Sequence, residues 1–137
     1  MIHSAPRGNR EARPHWLAAR EGRLVMPFCE ACNAWNWPPS GACPHCQTPL
    51  IWRQCSGTGR IVSFSIVRRA VQPEWKDQAP YIVAIIELAE GVRLLSNVVD
   101  CLADSVTLNA PVRVAFHETT DPELGLPVFT LAKGIAP

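Results

Sequence analysis

Cys29-Glu30-Ala31-Cys32 and Cys43-Pro44-His45-Cys46 are two Cys-x-x-Cys pairs separated by ten residues, Asn33 to Ala42. Each pair suits a tight turn whose backbone N–H groups point at the sulfurs. Four thiolates make a closed tetrahedral shell for Zn²⁺ at about 2.3 Å per bond, with no position left for water or substrate. The metal they predict is therefore structural. Such a site supplies roughly 10–16 kcal/mol of apparent folding free energy, so a short module folds around it without a large core. Two alternatives compete: a pair of disulfides, or a redox dithiol. Cys43-Pro44-His45-Cys46 has the form of a thiol-oxidoreductase turn, but that motif opens a helix after a strand. Here a second Cys pair lies upstream and a β-rich stretch follows, which favours zinc. Asn33, after the first pair, suits a left-handed turn; Gln47, after the second, stands where Gly is easier.

Upstream of the cysteines, Pro14 to Glu21 reads as a short helix with Pro in its first turn and Gly22 as its stop. The helical segment is taken as 14–24, with Trp16, Leu17 and Leu24 as its buried face. A helix this short is unstable alone and must dock, either on its own domain or on another subunit. Residues 1–13 carry Arg7, Arg10 and Arg13 without an apolar stretch, and read as a flexible arm rather than a secretory signal. No apolar run approaches the roughly 20 residues that span a bilayer. The expected compartment is the reducing cytoplasm, where Cys pairs serve metals more often than disulfides.

Downstream of the zinc ribbon, taken as 25–54, the texture changes to strands. Arg60–Arg69 alternates, with Val62, Phe64 and Ile66 on one face and Ser63 and Ser65 on the other. A loop at 70–80 holds Pro73, Trp75 and Pro80. Tyr81–Leu88 is a strong strand, and Glu90-Gly91 turns it into a partner at Val92–Val99. Val112–His117 and Pro127–Lys133 follow. Five such strands within 55–137 predict a small barrel, because closure removes the open sheet edges. The fold class is thus mainly β: a short helix, a zinc ribbon and a five-stranded barrel.

Several of these residues occur together in a known family. The short helix ending in Glu21-Gly22, the four-Cys ribbon with Trp37-Pro38-Pro39 inside it, Gly57-Thr58-Gly59-Arg60, Pro80-Tyr81-Ile82 and Glu90-Gly91-Val92-Arg93 appear in an order that resembles the acyl-CoA-associated zinc-ribbon/OB-fold family. The resemblance covers roughly residues 14–133. It implies a rubredoxin-like zinc ribbon, an OB-fold barrel, and a non-catalytic partner subunit beside a thiolase-superfamily enzyme in a hetero-oligomer, with acyl-CoA as a further contact. Those partners condense, cleave or transfer acyl groups on CoA thioesters, or act as thiolase-like aldolases; some relatives accompany hydratase-like domains. Gln47 and Asn109-Ala110-Pro111 depart from the family pattern, where Gly is expected at each turn.

Composition agrees with an accessory role. Five tryptophans stand in 137 residues, and Trp16, Trp35, Trp37 and Trp75 are candidate partner anchors. The alternative for Trp35 and Trp37 is that they cover the zinc turns or cap the barrel. Arg60, Arg68 and Arg69 flank the first barrel strand and are candidate contacts for CoA phosphates, or else a solvated edge. Cys55 and Cys101 lack partners at ligand spacing and read as buried free thiols. No nucleophile elbow, triad or paired carboxylate is apparent. The competing function is a single-stranded nucleic-acid-binding OB-fold; the net charge of +1 and the two lysines, Lys76 and Lys133, argue against it.

Overall fold

Ile82, Ala84, Ile86 and Leu88 are buried while Tyr81, Val83, Ile85 and Glu87 between them are less so. This period of two makes Tyr81–Leu88 the strand around which the sheet is built. The computed structural model describes residues 2–3, 6, 10–69 and 80–132. The strands are β1 (Ile2–His3), β2 (Val25–Cys29), β3 (Ala34–Trp35), β4 (Ile51–Gln54), β5 (Thr58–Val67), β6 (Tyr81–Leu88), β7 (Arg93–Val99), β8 (Pro111–Thr119) and β9 (Gly125–Leu131), with one α-helix, α1 (Arg13–Arg20). Trp75 and most of the expected 70–80 loop lie outside the described residues, as does Lys133.

Pairing runs in a closed ring. β5 pairs with β6, β6 with β7, β7 with β9 in parallel, β9 with β8, and β8 back to β5. Five strands therefore leave no free edge within the ring. β2 is the centre of a separate three-stranded sheet between β3 and β4. Within the stretch read as an arm, Ile2–His3 pairs in parallel with the end of β8, and Arg10–Ala12 forms a turn of 3-10 helix leading into α1.

One bulge shifts a strand's inward face. The register of β5 on β6 slips between Ile61 and Ser63, so Val62 is an extra residue. An extra residue inverts the alternation on one side of it. Ile61 is fully buried, whereas Phe64 and Ile66 beyond the bulge pack against the same core. The expected Val62–Phe64–Ile66 face is thus corrected to Ile61–Phe64–Ile66. Gly59 lies just before it; a Cβ there would stand 2.5 Å from the Glu87 carbonyl oxygen.

The helix also differs from expectation. His15, Ala18 and Ala19 are its buried positions, spaced i, i+3 and i+4, while Leu17 is 37% exposed and Trp16 half-buried. Small Ala side chains let the helix backbone approach β9 closely at Gly125, where a Cβ would meet Arg20 N at 2.6 Å. The helix docks on its own chain. It ends in a Schellman motif: Arg23 N–H donates to Ala18 O (2.9 Å) and Gly22 N–H to Ala19 O (3.1 Å), with Gly22 at φ +79°.

Ribbon and barrel share one core. Leu24, Met26 and Cys55 belong to the same buried cluster as Ile61, Ile82, Ile86, Leu94, Val112 and Phe129. Trp35 and Trp37 pack against this cluster from the ribbon side.

Candidate metal centre

β2 delivers Cys29 at its end, and the turn that follows brings Cys32 back beside it. Cys32 N–H donates to Cys29 Sγ at 3.3 Å, and Asn33 takes the left-handed φ of +53° that closes the turn. The second turn is held by Cys43 N–H to Thr48 O (2.8 Å) and Gln47 N–H to Cys43 O (2.8 Å), with Gln47 at φ +66°. Gln47 therefore occupies the left-handed position that Gly would fill without strain. The two turns are the knuckles predicted from the Cys spacing.

The four sulfurs of Cys29, Cys32, Cys43 and Cys46 lie within 4.8 Å of one another. Cys29 Sγ is 3.5 Å from Cys46 Sγ, and Cys43 Sγ is 4.0 Å from Cys32 Sγ. A regular ZnS₄ tetrahedron with bonds of about 2.3 Å has edges of about 3.8 Å. The donor set thus has the size and chemistry of a closed zinc site, not of two disulfides, and the zinc is structural.

Burial is uneven across the four. Cys29 and Cys43 are buried, Cys32 and Cys46 exposed. The Cys46 thiol is drawn down to about 6, first by the side-chain hydrogen bond with Thr48 and next by the Thr48 N–H. The Cys32 thiol is pushed up to about 12, first by hydrogen bonding with Cys46 and then with Cys29. Without metal, one proton leaves the cluster readily and others stay; zinc binding must displace them.

His15 is a structural feature that the cysteine spacing gave no hint of. It is 1% exposed, its Nδ1 lies 2.8 Å from Val25 O, and burial drags its pKa down to about 4. The neutral ring must carry its proton on Nδ1, because a carbonyl only accepts. Trp16, Trp37 and Trp52 stand around it at ring-centroid distances of 4.5, 4.7 and 6.4 Å. Trp35 meets Phe28 edge-on at 4.9 Å, and the Arg53 guanidinium lies 4.5 Å from the Phe28 ring. Trp16, Trp35 and Trp37 are thus placed where helix, ribbon and barrel meet.

The remaining residues singled out from sequence are scattered. Arg60 reaches Asn109 Oδ1 (2.6 Å) and Glu87, which also binds Arg93; Arg68 and Arg69 are exposed at the end of β5. Cys55 is buried, and burial pushes its thiol up to about 12; Cys101 is only half-buried. Among the described residues the most exposed large apolar side chains are Leu102, Leu95 and Leu108, none of which was taken from sequence as a partner anchor.

Two family models match this arrangement. Residues 16–49 match the rubredoxin-like zinc ribbon domain of ChsH2, and residues 52–117 match the C-terminal OB-fold domain of ChsH2. A DUF35 domain-containing scaffold protein of Methanothermobacter thermautotrophicus is 38% identical over 100 residues, 72% of this chain and 74% of the relative. The chain belongs to the ChsH2/DUF35 family. A second DUF35 scaffold protein, from Methanocaldococcus jannaschii, is 33% identical over 69% of this chain and 67% of the relative. A subunit of Thermomonospora curvata described as a probable enoyl-CoA hydratase alpha subunit is 37% identical over 93% of this chain; this chain spans only 40% of that relative. Among solved structures of the family, a chain of the Ltp2-ChsH2(DUF35) aldolase superposes with a TM-score of 0.81 at 36% identity, covering 92% of this chain and 98% of that one. A Sulfolobus solfataricus DUF35 protein of unknown function shares the fold, with a TM-score of 0.61 at 13% identity over 90% of this chain and 87% of that one.

Proposed function

We propose that this chain is a non-catalytic scaffold subunit that binds a thiolase-superfamily acyl-CoA enzyme in a hetero-oligomer. The observation that carries this reading is the 36% identity, over nearly the whole of a chain, to the DUF35 component of an aldolase assembly. Two relatives described as scaffold proteins support it, and so does a metal centre whose four sulfurs close the coordination shell. The Thermomonospora curvata relative, in which a matching module is part of a longer acyl-CoA subunit, supports the same class of chemistry.

In this role zinc, when bound, supplies rigidity and no reaction step. Its ligand turns hold β2, and Met26 of that strand, with Leu24 just before it, extends the barrel core. The ribbon and barrel, joined through one core, then present a continuous surface to the partner. Trp16, Trp35, Trp37 and Trp75 remain the proposed partner anchors, and Arg60, Arg68 and Arg69 the proposed contacts for a partner carboxylate or CoA phosphate. The proposed location is the cytoplasm; among the described residues no helix is long and apolar enough to cross a membrane.

Co-expression with candidate thiolase-like and hydratase-like subunits tests the reading. The expected result is co-purification in fixed stoichiometry with one of them, and higher activity or solubility of that enzyme. Equal activity of every candidate without this chain, or acyl turnover by this chain alone, would overturn it.

A further inference from the structure

The four sulfurs of the metal centre are unequal in burial and in the hydrogen bonds they receive. Two are shielded: Cys29 is fully buried and also receives the Cys32 N–H, and Cys43 is 1% exposed. Cys32 and Cys46 face solvent. Of that accessible pair, among the described residues, only Cys46 has a hydroxyl beside it, Thr48 Oγ1 at 3.2 Å. Thr48 is half-buried and its own carbonyl accepts the Cys43 N–H at 2.8 Å, so its backbone is anchored within the turn it serves.

A zinc-bound thiolate has no proton to give, so against bound metal the Thr48 hydroxyl is the donor. A hydrogen bond to a thiolate withdraws charge from the sulfur lone pairs, which lowers its nucleophilicity and orients it toward the metal. Cys32 has neither the shielding of the buried pair nor this donor.

We propose that Thr48 is a positioning residue for the zinc centre, and that its hydroxyl, by occupying Cys46, leaves Cys32 as the sulfur at which soft electrophiles open the site. With iodoacetamide the step is a displacement. A Cys32 lone pair attacks the methylene carbon, a C–S bond forms, the C–I bond breaks and iodide leaves with its electron pair. The resulting thioether is neutral, so Zn²⁺ loses one anionic ligand and becomes exchangeable. The same order of reactivity would apply to any alkylating electrophile of this class.

The test uses the zinc-loaded full chain and substoichiometric iodoacetamide. Alkylated sites are mapped by mass spectrometry, and released zinc is followed with a chromogenic chelator. Native protein should carry the label on Cys32 several-fold ahead of Cys46, with zinc release tracking Cys32 labelling; Cys55 and Cys101 are read separately by position. Thr48→Val removes the hydroxyl but keeps the Thr48 N–H, so it should raise Cys46 labelling several-fold toward that of Cys32 and weaken zinc retention by about ten-fold. Thr48→Ser, which keeps the hydroxyl, should restore the native order. Labelling of Cys46 first in the native protein overturns the proposal whatever the variants do. So does a Cys32-to-Cys46 ratio that Thr48→Val leaves unchanged in zinc-loaded material.

Discussion

His15 Nδ1 donates to the Val25 carbonyl oxygen across 2.8 Å, so an imidazole on α1 fastens the helix to the first strand of the zinc ribbon. Burial holds this ring neutral, with its pKa down at about 4 against 6.5 when exposed. Between those values the unfolded chain takes up a proton that the folded chain refuses. Stability is therefore full above about pH 6.5 and declines as pH falls toward 4, by on the order of 3 kcal/mol if the whole window is crossed. Urea midpoints measured from pH 7 to 5.5 in zinc-loaded protein should fall in the native chain. In His15→Gln, which lacks the titrating group, the slope over that range should be shallower. Identical slopes would show that His15 does not couple to folding.

The close seating of α1 on β9 yields a second expectation. A Cβ at Gly125 would lie 2.6 Å from Arg20 N and 2.7 Å from Ala19 C, both backbone atoms that cannot swing aside. Gly125→Ala should displace the helix and cost about 1–3 kcal/mol, the usual penalty of forced overpacking. Chemical denaturation would register it, and an unchanged midpoint would mean that helix and barrel do not meet this closely.

Leu94 and Leu95 are neighbours in β7 with opposite fates: one is 5% exposed, the other 67%. Leu94→Ala should cost about 2–5 kcal/mol, while Leu95→Ala should stay within about 0.5 kcal/mol of native. Paired denaturation curves check both. A reversed pattern would place β7 one residue out of register, since a single slip exchanges the two faces.

How much could be read before the structure depends on how local each signal is. The zinc ligands were legible because coordination demands a fixed residue type at a fixed spacing, and nothing between the pairs alters that. Tyr81–Leu88 was legible to its ends because Ile82, Ala84, Ile86 and Leu88 keep one uninterrupted period. β5 was legible only in part: a bulge at Val62 is invisible to an alternation count, so Val62 was read into the inward face that Ile61 in fact occupies. On α1, Trp16 and Leu17 outrank His15 in hydrophobicity, yet the packing selected the face carrying Ala18 and Ala19, because only small side chains allow the approach to Gly125. Thr48 escaped notice for a similar reason. Its hydroxyl matters only once the second turn brings it to Cys46, and that contact has no sequence period of its own.

Removal of the metal tests the deepest dependence in the fold. Cys43 is buried, and its N–H and carbonyl both hold the second turn through Thr48 and Gln47. Cys43→Ser replaces a thiolate with a poor zinc ligand at that buried point, and a three-sulfur site forfeits much of the roughly 10–16 kcal/mol that structural zinc contributes. Because Leu24 and Met26 of the ribbon side lie in the same core as Ile61 and Phe129, the damage should not stop at the ribbon. The variant, or native protein stripped by a strong chelator, should lose near-ultraviolet signal from its tryptophans and unfold at lower denaturant in one coupled transition. Restored zinc should rescue the stripped native chain but not the variant. Native tryptophan spectra in a sample verified as metal-free would show that the shared core holds the ribbon without its sulfur-bound ion.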